Sequence, residues 1–210
     1  MIKPDSLIFD MDGTLWDNVN SYEIVWNRAL EILGYDTRVT REVLIGLMGK
    51  EPRALLNTII PGVSIENQDV LFDEVIDQYQ KLVPDIKPTI YDGVYDGLEM
   101  LATKYPLFLL SNCEEGGLVN FMNHTKTTHL FKDYMEHGQN SQPKSFNLQL
   151  LQDRNNISNP VYVGDTDSDS RESHKANVPF VFMTYGFGDT DKYQLKFDSF
   201  NDMVEHYMGL

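Results

Sequence analysis

The chain has 210 residues, 41% hydrophobic and 23% charged, with a formal net charge of −15. That length suits one sizeable domain or a core with a small insertion. The acidity argues against a general nucleic-acid binder or an anionic membrane surface as partner, and no apolar run reaches the roughly 20 residues that span a bilayer.

Met1-Ile2-Lys3-Pro4-Asp5 lacks a signal-peptide pattern and leads into Leu7-Ile8-Phe9, which reads as a buried strand. The strand halts at Asp10. Asp12 and then Gly13 follow, and the glycine allows a sharp turn and close approach to a ligand. Asp17 or Asn18 caps a first helix, with Ile24, Val25, Ala29, Leu30, Ile32 and Leu33 at helical spacing. Thr40 to Met48 reads as a second helix and Pro52 to Ile60 as a third, opened by proline in its first turn. Ser64 caps a fourth, with Val70, Leu71, Val75, Ile76, Tyr79 and Leu82 recurring along it before Pro84 interrupts. Residues 17–84 are therefore expected to form an all-helical insert.

From Tyr91 strands and helices alternate. Val94–Lys104 reads as a helix, Leu107–Leu110 as a buried strand, and a short strand is expected near Tyr134–Glu136. Ser145–Arg154 is a helix, Val161–Val163 a strand, Asp169–Asn177 a helix, Phe180–Met183 a strand and Asp198–Met208 a terminal helix. This alternation predicts an α/β fold, a Rossmann-like parallel sheet with helices on both faces, plus the inserted helical domain. The core would comprise residues 1–16 and 85–210. Cys113 is the single cysteine, so no internal disulfide can form, which fits a reducing cytoplasm.

Four elements carry chemistry if the strand ends share one sheet edge. In Asp10/Asp12 one carboxylate can attack phosphorus while the other handles the proton. Ser111 follows a strand directly and can donate to a phosphate oxygen, helped by the following backbone amides and a helix N-terminus. Lys144 opens a predicted helix, where the dipole gains nothing from a cation, so an anionic partner is expected. Asp165 and Asp169, four apart in Gly164-Asp165-Thr166-Asp167-Ser168-Asp169, offer hard oxygens suited to Mg²⁺. An EF-hand reading of Asp165-x-Asp167-x-Asp169 fails. Ser170 stands at the required glycine and Ala176 at the closing glutamate.

Asp10-Met11-Asp12-Gly13-Thr14-Leu15 resembles the first motif of the haloacid dehalogenase superfamily in its phosphatase form, and the other elements match its later motifs in order across essentially the whole chain. The resemblance implies Asp10 as nucleophile and Asp12 as general acid/base, with Ser111 and Lys144 binding phosphate. It implies a Mg²⁺ site of Asp10, the main-chain carbonyl of Asp12, and Asp165, with Asp169 beside it. Residues 17–84 are similar to the family's small helical cap. Gly46-Leu47-Met48-Gly49-Lys50 is similar to the cap's substrate-facing loop, which marks Lys50 and Arg53 as specificity candidates and adds Lys50 and Asn112 to the substrate-binding set. Pro143 precedes Lys144, whereas many relatives read Lys-Pro. A branch resembling phosphoglycolate phosphatases instead pairs the lysine with an asparagine three residues on, as in Lys144 and Asn147, and Tyr185-Gly186-Phe187-Gly188 fits that branch too.

The expected activity is Mg²⁺-dependent hydrolysis of a small phosphate ester, such as phosphoglycolate or a sugar phosphate, through an aspartyl-phosphate. A phosphomutase of the beta-phosphoglucomutase type shares the first half-reaction and a pyrophosphatase the same chemistry. Haloacid dehalogenation is disfavoured by Asp12, which the superfamily's dehalogenases lack, and an idle metal-binding protein by the presence of all four elements. Neither a monomer nor a dimer is favoured by the sequence.

Overall fold

The computed structural model describes residues 3–50, 52–82 and 85–210. Two compact units emerge, one of Met1–Trp16 with Ile90–Leu210 and one of Asp17–Thr89. The sequence used Pro84 to end the fourth helix, a position outside the described residues.

The first unit is built on a six-stranded sheet in the order β5-β4-β1-β6-β7-β8. Its strands are β1 (Ser6–Phe9), β4 (Leu107–Ser111), β5 (Phe131–Glu136), β6 (Pro160–Gly164), β7 (Phe180–Met183) and β8 (Leu195–Phe197). All paired neighbours run parallel. β1 sits inside the sheet, Phe9 aligning with Leu109 of β4 and Val163 of β6. Leu7, Ile8 and Phe9 are all fully buried, as a strand covered on both faces requires.

Alternation along each strand divides the core. Ile8, Phe108, Leu110, Tyr162, Phe180 and Phe182 pack with Leu148 and Leu151 of α7 (Lys144–Asn155), and with Ala176 and Val178 beyond α8 (Asp167–Lys175). Phe9 instead meets Phe200 of α9 (Phe200–Gly209). α9 packs on α5 (Val94–Ala102). α6 (Gly117–Thr125) follows β4 and contacts β4 and β5.

In the second unit, α1 (Val19–Ile32) packs on α4 (Ile65–Leu82), with α2 (Arg41–Ile45) and α3 (Pro52–Ile59) between them in sequence. Asn18 stands at the N-cap of α1 without a side-chain cap bond, and Asp17 just before it accepts from the Val19 amide at 3.0 Å. β2 (Trp16–Asp17) and β3 (Thr89–Ile90) pair as a separate two-stranded sheet.

Several expectations shift. The buried stripe of α4 is Gln68, Leu71, Val75 and Gln78, while Val70 is exposed. The glutamines are tolerated because they are bonded, Gln68 to Asn57 at 2.7 Å and Gln78 to Glu74 at 2.7 Å. Ile24 and Ile32 of α1 likewise face solvent. The second helix stops at Ile45 rather than Met48. β5 is longer than expected, and β8 was not anticipated.

Candidate active site

β1 delivers Asp10 to the carboxyl edge of the sheet, where its amide donates to the Val163 carbonyl at 2.8 Å. From the β1–β4 and β1–β6 registers, Asp10 lies one residue beyond the Phe9 level, and Ser111 and Asp165 two. α7 starts at Lys144, and its buried ammonium donates to Asp10 Oδ1 at 3.0 Å and to Asp169 Oδ1 at 2.6 Å. The anionic partner expected of a lysine at a helix N-terminus is thus a pair of carboxylates. Asp169 also caps its own helix, accepting at Oδ2 from the Thr166 amide at 3.1 Å and hydroxyl at 2.6 Å. Both of its oxygens are therefore engaged, which suits orienting Lys144 better than direct ligation.

Asp165 is held from two other sides. The Phe187 amide donates to Oδ2 at 2.7 Å and the Thr14 hydroxyl to Oδ1 at 3.3 Å. Two glycines make room for this carboxylate. A Cβ at Gly13 (φ +84) would overlap the Asp165 carboxylate, and one at Gly186 would overlap both that side chain and the Gly13 carbonyl oxygen. Tyr185 anchors the same loop by donating to the Thr14 carbonyl at 2.6 Å.

Carboxylate oxygens of Asp10, Asp165 and Asp169 all lie within 4.8 Å of one another, and all three residues are buried. Burial pushes the Asp10 carboxyl from its ordinary 3.8 to about 6; Lys144 opposes the rise and Asp169 adds to it. Asp165 is pushed well above its ordinary value by burial, then by Asp169 and Asp10. Burial disfavours the Lys144 ammonium, but the two carboxylates outweigh it and hold the lysine above its usual range. A divalent cation is the natural complement to this excess of buried negative charge on hard oxygen donors, so the residues present fit Mg²⁺.

Ser111 is buried at the end of β4, opposite Glu136 of β5. Asn112 follows, half-buried in the turn. Asn147, one turn into α7, accepts from Asn140 Nδ2 at 2.7 Å and donates to the Gln142 carbonyl at 3.3 Å, fixing the loop that presents Lys144. Lys50 is exposed in the turn before α3. Arg53 donates to Gln68 at 3.0 Å and pairs with Asp69, so the helices of its own unit already engage it.

Three groups escaped the sequence reading. Tyr162 sends its hydroxyl to Asp169 Oδ1 and the Leu110 carbonyl, each at 3.3 Å, and its ring lies 5.4 Å from the Lys144 ammonium. Glu136 accepts from the Gly116 amide at 2.9 Å and the Leu118 amide at 2.5 Å, tying the loop after Ser111 to β5. Trp16 donates from its indole to Asp12 Oδ1 at 2.9 Å. A tyrosine in an otherwise aliphatic buried strand was the available signal for the first.

Sheet order and acidic cluster together define a doubly wound α/β protein whose central strand carries an aspartate into a carboxylate–lysine site. Residues 7–183 match the family model described as haloacid dehalogenase-like hydrolase, and the chain belongs to that family. A phosphoglycolate phosphatase from Rhodobacter capsulatus is 24% identical over 192 residues, covering 88% of this chain and 86% of that protein. One from Aliivibrio fischeri is 26% identical over 192 residues, covering 86% and 84%. Among solved structures, a haloacid dehalogenase-like hydrolase from Streptococcus pneumoniae superposes with a TM-score of 0.85 at 16% identity, covering 99% of this chain and all of that one. The family and α/β fold expected from the sequence are both met.

Proposed function

We propose that this protein is a Mg²⁺-dependent phosphatase acting on a small phosphorylated metabolite, with phosphoglycolate and sugar phosphates as leading substrates. The observation that carries the reading is the Lys144 ammonium bridging Asp10 and Asp169 at the carboxyl edge of β1. The curated relatives named above support the substrate class.

Asp10 attacks phosphorus in line with the leaving oxygen, and the phosphorus–oxygen bond to the leaving group breaks. Asp12 gives that oxygen its proton. Asp12, now ionised, then takes a proton from the water that attacks the aspartyl-phosphate, releasing phosphate and restoring the Asp10 carboxylate. Lys144 offsets charge on Asp10 and on the transferring group, while Ser111 and the amides after it bind the phosphoryl oxygens. Asp10, the Asp12 main-chain carbonyl and Asp165 would hold Mg²⁺, with Asp169 beside them. The bound cation would supply charge neutralisation and Lewis acidity at the phosphoryl group. Residues 17–84 act as the cap that sets substrate choice, with Lys50 as a contributor.

Inorganic phosphate release from a panel of 2-phosphoglycolate, sugar phosphates, nucleoside monophosphates and pyrophosphate tests the reading. Turnover with Mg²⁺, none in excess chelator, and inhibition by Ca²⁺ are expected, since calcium takes more ligands at longer distances. Silence on every ester, or equal rates in chelator, would overturn it. Isomerisation of a sugar phosphate without phosphate release would make the protein a mutase.

A further inference from the structure

Trp16 is fully buried, and its ring meets Phe121 edge-on at 5.1 Å and His124 at 6.2 Å, both on α6. Its backbone closes the turn after β1. The Gly13 amide donates to the Trp16 carbonyl at 2.9 Å, and the Leu15 and Trp16 amides donate to Met11 O at 2.8 and 3.3 Å. From this clamped position the indole Nε1–H reaches back to Asp12 Oδ1 at 2.9 Å. An indole nitrogen is a donor only and requires an acceptor when buried. An aspartate carboxyl, by contrast, turns easily because its last torsion is broad.

We propose that Trp16 is a positioning residue for proton transfer: its indole N–H holds one Asp12 oxygen and so directs the other at the leaving group. The inference rests on the reading of Asp12 as proton donor. The indole is buried and packed against Phe121 and His124, so its bond restricts the rotation of the Asp12 carboxyl. Proton donation matters in proportion to the basicity of the leaving oxygen. An alkyl alkoxide requires the proton as the bond breaks, whereas a nitrophenolate departs without it. A group that only aims Asp12 should therefore affect the two kinds of ester unequally. A group that only stabilises the fold should affect them alike.

The test compares kcat/KM of wild type and Trp16→Phe on 2-phosphoglycolate, or the best alkyl ester of the panel, and on p-nitrophenyl phosphate. A displaced catalytic group costs up to about 100-fold, so the expected losses are about 10- to 100-fold on the alkyl ester and under about threefold on the aryl ester. Site-specific 3-benzothienylalanine at position 16 keeps the bicyclic shape and replaces N–H with sulfur. It should reproduce the same split even if the phenylalanine variant folds poorly. The bond itself is read without turnover. Trp16 and Trp26 are the two tryptophans, so a ¹⁵N-labelled sample gives two indole signals, of which Asp12→Ala should move one. Equal losses on both esters, or an unmoved indole signal, would overturn the proposal. Asp12→Asn turning over alkyl esters at the wild-type rate would instead strike the reading of Asp12 itself.

Discussion

Lys144→Met removes the ammonium from among three buried carboxylates while keeping a linear side chain of similar length. Breaking a buried ion pair leaves its partners uncompensated and costs about 3–5 kcal/mol. The pH dependence follows from the neighbours. Asp10 in the folded protein titrates at about 6, against 3.8 ordinarily. Its ionised form therefore destabilises the fold, fully above pH 6 and not at all below the ordinary value. Lys144 has a raised value, so the ammonium stays protonated from pH 5 to 8 and the change across that window comes from the carboxylates it faces. Without it, both Asp10 and Asp165 are pushed up further, so lowering the pH relieves more of the uncompensated charge. In metal-free buffer the variant should melt about 6–20 °C below wild type at pH 8, at about 2–4 °C per kcal/mol. The deficit at pH 5 should be clearly smaller. Thermal unfolding at both pH values, with chelator present, measures this. A deficit equal at the two pH values, or larger at pH 5, would refute the charge-balance account of the site.

Asp10→Asn should leave less than about 1% of the turnover, because an amide is a poor nucleophile, yet raise the metal-free melting temperature at pH 8 by relieving carboxylate repulsion; phosphate release and calorimetry check the two halves. Lys50→Ala should reorder the ranking of phosphate esters by kcat/KM, whereas Lys144→Ala should depress all of them by a similar factor; a uniform loss from the first and a selective one from the second would remove the cap from substrate choice. Gly186→Ala should weaken Mg²⁺ binding at least about tenfold by pushing the Asp165 carboxylate aside, read by calorimetric titration; unchanged affinity would show that the loop yields instead.

The sequence disclosed those parts of the structure that depend on local pattern. Leu7-Ile8-Phe9 had to be a covered strand because nothing polar interrupts it, and Lys144 stood out because a helix start offers a cation nothing. The parallel sheet and its flanking helices followed from the same alternation. What escaped depends on partners distant in the chain. Whether Val70 or Gln68 faces inward on α4 is decided by α1 and by Asn57, not by the helix's own periodicity. β8 is short and carries Lys196 at its centre, as edge strands do to discourage further pairing, so its apolar signal is weak. In sequence Tyr162 is covered only by the buried strand Val161–Val163, and Trp16 has no reading. Their polar atoms gained meaning only once the fold placed Asp169 and Asp12 within reach.

The central place of β1 has a kinetic corollary. Its sheet partners begin at Leu107 and Pro160, the Asp10–Lys144 bond spans 134 residues and the Thr14–Asp165 bond 151. Each contact closes a long loop whose entropy must be lost before pairing returns anything. During synthesis the aspartate strand emerges early and must wait, edges unsatisfied, until β6 has been made. The contiguous helical segment between, a compact unit of Asp17–Thr89, has no such delay. Ribosome-bound chains halted before residue 160 should therefore protect Asp17–Thr89 from protease while leaving β1 open to it, and the reactive site should assemble as one of the last events in the chain's maturation.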